Sequence, residues 1–107
     1  MFKRKRGFTT GIHDLKVLDS EIVSYRNGGE AIKLTVENKE GVIGTFNIFL
    51  NNYSLVDSLL YAIYDDVDDD ENFDEKDFIG ITIVAELKMK NNYFYIDNIK
   101  NAYIGEV

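Results

Sequence analysis

A chain of 107 residues, 45% hydrophobic and 29% charged, is the size and composition of one soluble domain that can bury a core without covalent staples. It has no cysteine and no proline, which excludes a disulfide framework and a thiolate metal site and leaves the turns to glycine and asparagine. The net charge of −7 taken alone argues against a polyanionic partner, yet that charge is unevenly placed. Residues 65–77 hold nine acids and one lysine, a net of −8, so the rest of the chain sums to about +1. The positive charge is weighted toward a basic arm, Lys3, Arg4, Lys5 and Arg6. No apolar stretch approaches the roughly 20 residues that span a bilayer, and no apolar run follows the basic start as in a secretion signal. The expectation is a cytoplasmic protein with no membrane partner.

In chain order, residues 1–10 lack periodicity and read as a mobile basic arm. Residues 15–25, with Leu15, Val17, Leu18, Ile22 and Val23, predict a first strand. Its alternation slips by one between Val17 and Leu18, the mark of a bulge. Arg26-Asn27-Gly28-Gly29 supplies the positive φ angles of a tight turn. Residues 31–37 alternate cleanly, with Ile32, Leu34 and Val36 on one face, as in a half-buried antiparallel strand. Asn38-Lys39-Glu40-Gly41 closes a hairpin, and residues 44–50 form the next strand with Phe46, Ile48 and Leu50 inward. The period then changes. Ser54, with Asp57 three residues on, predicts a helix cap, and Leu55, Val56, Leu59, Leu60 and Ile63 fall on one face of a helix of about three turns. The acids that follow oppose the helix macrodipole, so the helix should stop near Tyr64. Residues 81–89 alternate again, with Met89 the last inward position. Lys90-Asn91-Asn92 makes a tight turn, and residues 93–99 form the last strand with Phe94 and Ile96 inward.

Three strands, a helix and two strands is the element order of the OB-fold, a five-stranded Greek-key barrel with its helix between strands 3 and 4. The rival is a five-stranded sheet of different topology packed on one helix. The segments Gly11-Ile12-His13-Asp14-Leu15-Lys16-Val17, Gly28-Gly29-Glu30-Ala31-Ile32-Lys33-Leu34 and residues 44–50 resemble a set of small phage- and mobile-element-encoded, single-stranded-DNA-binding-like proteins. Asp77-Phe78-Ile79-Gly80 and Tyr93-Phe94-Tyr95-Ile96 look like the last two elements of that pattern, and the resemblance spans residues 7–105. It implies a single OB-fold domain, a role in DNA replication or recombination, and recruitment of other proteins through an acidic segment. The chain departs from the pattern in the size of its acidic loop and in lacking a basic surface on its body.

Candidate chemistry follows from the outward positions. Alternation turns Phe49, Tyr93 and Tyr95 outward, where aromatic rings can stack on bases, and Lys33, Lys88 and Lys90 share that surface and can track a phosphate backbone. Lys3 to Arg6 can neutralise further phosphates. The bland alternatives are ordinary strand packing of tyrosines or a homo-oligomer interface. The acids Asp65, Asp66, Asp68, Asp69, Asp70 and Glu71 read either as a docking surface for a protein partner, a mimic of DNA, or as a solvated linker. They do not meet the calcium-loop pattern, since Glu71 stands where glycine makes the sharp turn and Asp77 where the bidentate glutamate belongs. The lone His13, expected ahead of the first strand, forms neither a triad nor a zinc site. The expected function is non-enzymatic, cofactor-free binding of single-stranded nucleic acid with little base preference. The alternative is a protein-interaction module working through the acidic loop.

Overall fold

The computed structural model describes residues 7–61, 63–64 and 72–104, the last four as backbone. Five strands, β1 Gly11–Ser24, β2 Glu30–Glu37, β3 Ile43–Phe49, β4 Ile81–Lys90 and β5 Tyr93–Ile104, form one antiparallel sheet in the spatial order β3-β2-β1-β4-β5. A helix, α1 Tyr53–Leu60, and a 3₁₀ turn, Glu75–Phe78, connect β3 to β4. The fold is mainly β with one helix, in the predicted order.

β1 joins the two halves of the sheet. Its start, from Gly11 to Lys16, pairs with β4, and its remainder, from Lys16 to Ser24, pairs with β2. The register shifts between Val17 and Asp19, where the sequence alternation slips. Leu15 and Val17 are fully buried before the shift and Ser20 after it, so the bulge lets one long strand bend while keeping its apolar side inward. β1 begins earlier than its local pattern indicates because its first residues are held by β4, about 70 residues away in sequence. His13 therefore lies within the strand, opposite Ala85, and its Nε2–H donates to the Thr9 carbonyl at 2.7 Å.

The sheet is open. Among the described residues no ladder joins β3 to β5, so the closed barrel expected from the element order is not formed. The sheet curls far enough that parts of these two edge strands come within 8 Å, Cα to Cα, and α1 packs against both. A seven-residue β3 facing a twelve-residue β5, whose pairing with β4 is twice irregular, offers no straight edge to continue the ladder.

The inward faces are those read from alternation: Ile32, Leu34, Val36, Phe46, Ile48, Ile81, Ile83, Leu87 and Ile96 are buried, with Leu55, Leu59 and Leu60 of α1 against them. Met89, expected inward, is 51% exposed, although Phe94, its partner one step from the turn, packs against the core. Asn91 and Asn92 both have positive φ and Lys90 pairs with Tyr93, a two-residue hairpin of the asparagine-favouring kind. The helix starts earlier and ends sooner than predicted. Asn52, not Ser54, is the cap, its side chain accepting from Leu55 N. After Leu60 the chain leaves the helix through bonds from Ile63 N and Tyr64 N to the Leu60 carbonyl.

Of residues 7–10, read as part of a mobile arm, Phe8 is half-buried and packs against the core. Phe8 sets its ring edge-on to Phe46, centroids 5.4 Å apart, and sits where a Cβ on Gly44 would overlap it. Gly44→Ala is thus expected to lower stability by about 1–3 kcal/mol. Urea denaturation of the double variant with Phe8→Ala checks the cause: it should be no less stable than Phe8→Ala alone.

Candidate functional site

The β1–β2 turn is built to hold a fixed shape. Tyr25 N donates to Gly29 O at 2.8 Å and Gly28 N to Tyr25 O at 3.0 Å. Gly28 takes a φ of 87°, a conformation that favours glycine, and Asn27 Oδ1 accepts from Gly29 N at 2.9 Å. Leu50 N donates to Glu30 O at 3.0 Å, tying the end of β3 to the same turn. Between them lies an open groove of about 500 Å³. Its walls are Tyr25, the turn from Asn27 to Glu30, the end of β3 from Phe49 to Asn51, and Tyr53 at the start of α1.

Three of the nine residues lining this groove are aromatic. Phe49 is 49% exposed and Tyr53 75%. Tyr25 and Phe49 form a tilted pair with centroids 5.6 Å apart, and Asn47 Nδ2 donates to the Tyr25 hydroxyl at 3.0 Å, which fixes the ring. Ala31, opposite both Phe49 and Val23 in register, is fully buried, small enough to lie beneath its larger neighbours. Lys33, one same-face row along β2 and opposite Asn47, is held by Glu21 at 3.6 Å, both side chains remaining exposed. Sequence reading found Phe49 and Lys33 but missed Tyr25 and Tyr53. Tyr25 follows Val23 in parity, a signal that was available. Tyr53 depended on where the helix begins.

The other predicted residues lie elsewhere. Lys88 pairs with Tyr95 and Lys90 with Tyr93, a two-step lysine–tyrosine ladder on the β4–β5 hairpin. β5 and β3 are opposite edges of the open sheet, so Phe49 and the two tyrosines do not share one stretch of hydrogen-bonded surface. Lys88 is paired with Asp97 at 3.0 Å, and that hydrogen bond raises its pKa. Lys90 makes no ion pair among the described residues. Neither does Arg26, which sits in the turn between two groove residues and was not singled out from the sequence. Lys3, Arg4, Lys5 and Arg6 lie outside the described residues.

Asp65, Asp66, Asp68, Asp69, Asp70 and Glu71 also lie outside the described residues, but the end of the acidic run is described and is no solvated linker. Asp74 caps the 3₁₀ turn by accepting from Lys76 N. Lys76 Nζ donates to the Ser20 carbonyl at 2.7 Å and lies 3.4 Å from Asp19. The Tyr64 hydroxyl donates to Asp77 Oδ2 at 2.6 Å, and Phe78 is 1% exposed. The backbone N–H of Ser20 and then Lys76 hold the Asp19 carboxyl below its ordinary value. A lowered folded pKa contributes stability above the ordinary carboxylate range that is lost as pH falls through the folded value, so Asp19→Asn should flatten the acid limb of a stability curve. The hydrogen bond to Asp77 pushes the Tyr64 phenol from 10.0 up to about 12. That contribution is complete below pH 10 and is lost as pH rises toward 12. Tyr64→Phe should remove one late-ionising tyrosine from an ultraviolet titration and flatten the alkaline limb. Among the described residues no group of three or more histidine, aspartate or glutamate side chains is placed to hold a metal ion, and no helix is long and apolar enough to cross a membrane.

No protein-family model matches the chain, and no curated protein matches it in sequence.

Proposed function

We propose that this is a single-stranded nucleic-acid-binding protein of OB type, as in the phage- and mobile-element-encoded proteins its sequence resembles. The observation that carries this reading is the aromatic groove between the β1–β2 turn and the end of β3. In OB-folds, which are partly open barrels, the face of strands 2 and 3 and the loop between strands 1 and 2 bind oligonucleotides. The strand order β3-β2-β1-β4-β5, with a bulged β1 shared between β2 and β4, is compatible with such a barrel parted along β3 and β5. One or two bases stack on Tyr25, Phe49 and Tyr53, while Arg26 and Lys33 at the margin meet phosphates. Lys3 to Arg6 add further phosphate contacts, and Lys90, Tyr93 and Tyr95 extend the path on longer strands. Sequence preference is weak because stacking accepts every base.

The test is fluorescence anisotropy of a labelled oligo-dT against a duplex of equal length, at low and then physiological salt. Saturable binding of the single strand that weakens steeply with salt supports the reading; no binding at low salt overturns it. The second reading, a protein-interaction module, draws on the pairing of Lys33 and Lys88 with carboxylates, which thins the positive field of the body. Neutralising residues 65–77 would then abolish partner capture, whereas in a nucleic-acid binder it leaves binding intact or strengthens it.

A further inference from the structure

We infer that Glu21 occupies Lys33 in the free protein and yields it to a phosphate when a strand enters the groove at the β1–β2 turn, so that this carboxylate sets how tightly the strand is held. The inference rests on the nucleic-acid reading above and adds the residue that restrains it. Register places three side chains in one row across the outer face: Glu21 on β1, Lys33 on β2 and Asn47 on β3. The next row toward the turn is Val23, Ala31 and Phe49, two residues or about 7 Å along the strands. Asn47 Nδ2 reaches from the first row to the Tyr25 hydroxyl at 3.0 Å, and the Tyr25 ring pairs with Phe49. Lys33 thus stands one step from the rings, where the phosphate of a base stacked on them can meet it.

That lysine is already engaged. Its Nζ lies 3.6 Å from Glu21 Oε1, with 41% and 50% of the two side chains exposed. An ion pair this open is weak, because water and salt screen it, and a phosphate carried in by a stacked base can replace the carboxylate. Asp19, the next acid on the same face of β1, is not a rival, since Lys76 holds it at 3.4 Å. Glu21 makes no second ion pair among the described residues. Once displaced, its charge stays near the phosphate and repels it. Glu21 therefore opposes the strand twice, by competing for Lys33 and by facing the phosphate that wins it.

The test is a double-mutant cycle of Glu21→Gln and Lys33→Met, read by anisotropy of a short labelled oligo-dT over a series of salt concentrations. Glu21→Gln should tighten binding about two- to fivefold, the scale of one exposed ion pair. It should also steepen the log–log salt dependence by up to about 0.7, the release that accompanies one more neutralised phosphate on a single strand. With Lys33→Met in place, Glu21→Gln should no longer steepen it. Asp97→Asn removes one acid on the opposite edge strand and controls for bulk charge: it should tighten the short strand less and keep the wild-type slope. Unchanged melting temperatures verify that the variants are folded. A gain in Glu21→Gln no larger than in Asp97→Asn, an unchanged slope, or a steepening that survives Lys33→Met overturns the inference while leaving single-strand binding standing. Binding by none of the proteins overturns the parent reading and this one with it.

Discussion

Phe78→Ala is expected to lower the free energy of unfolding by about 3–5 kcal/mol, a large part of the roughly 5–15 kcal/mol that holds a domain of this size together. Phe78 is 1% exposed and among the largest fully buried side chains. It ends the 3₁₀ turn that closes the connection between α1 and β4. Phe78, Ile22, Ile32, Val56 and Leu60 line a common half-open pocket of about 190 Å³, so removing the ring leaves a gap beside space that is already unfilled. The loss should appear as a lower urea midpoint with an unchanged slope. Phe73, only partly buried against the same core, serves as the comparison, and Phe73→Ala should cost clearly less. Equal effects would mean that the turn is held by Lys76 and Asp77 rather than by its apolar anchor.

That anchor shows where sequence reasoning stops. Strands 2 and 3 were legible almost to the residue because each has one buried face, and period-2 alternation reports that directly. The bulge in β1 was legible for the same reason, as a slip in the alternation later matched by a register shift after Val17. What failed were features set by distant partners. The first residues of β1 are strand because β4 pairs with them, and β5 continues to Ile104 because β4 is long enough to receive it. The acidic run hid a structured end: charge density made residues 65–77 look uniform, yet Asp74 to Asp77 form a capped turn tied to Ser20 and Tyr64. Barrel closure depends on whether two edges meet, and no local pattern carries that.

The candidate site was half legible. Outward parity placed Phe49, Tyr93 and Tyr95 on the solvent side, where they are indeed exposed to differing degrees, but parity cannot say which outward residues share a surface. Strand order does, and it puts Phe49 at one edge of the sheet and the two tyrosines at the other. It brings Tyr25 to Phe49 instead, across two strand neighbours and the turn that returns the chain. The lysines were placed on the outer face correctly, while their carboxylate partners Glu21 and Asp97 were not foreseen, since cross-strand neighbours depend on register.

Tyr25→Ala and Phe49→Ala are each expected to weaken binding of a short oligo-dT by about 5- to 100-fold, the effect of losing one stacked base at roughly 1–3 kcal/mol. The two rings form a single tilted pair, so one base lying on both makes the losses less than additive, and the double variant should fall little below the worse single. Asn47→Ala should produce a smaller loss, because Asn47 only fixes the Tyr25 ring through its hydroxyl; Tyr25→Phe should behave like it, keeping the ring and losing the tether. Tyr93→Ala and Tyr95→Ala should leave the short strand unaffected and weaken only longer ones, since these side chains stand on the opposite edge strand. Titration against oligonucleotides of increasing length separates the cases. If Tyr93→Ala weakens the shortest bound strand as much as Phe49→Ala does, the curled sheet presents both edges to one base and the groove at the β1–β2 turn is not the primary site. If only Tyr25→Ala and Phe49→Ala do so, the strand enters at that groove, and the hairpin end of β4 and β5 is where it leaves.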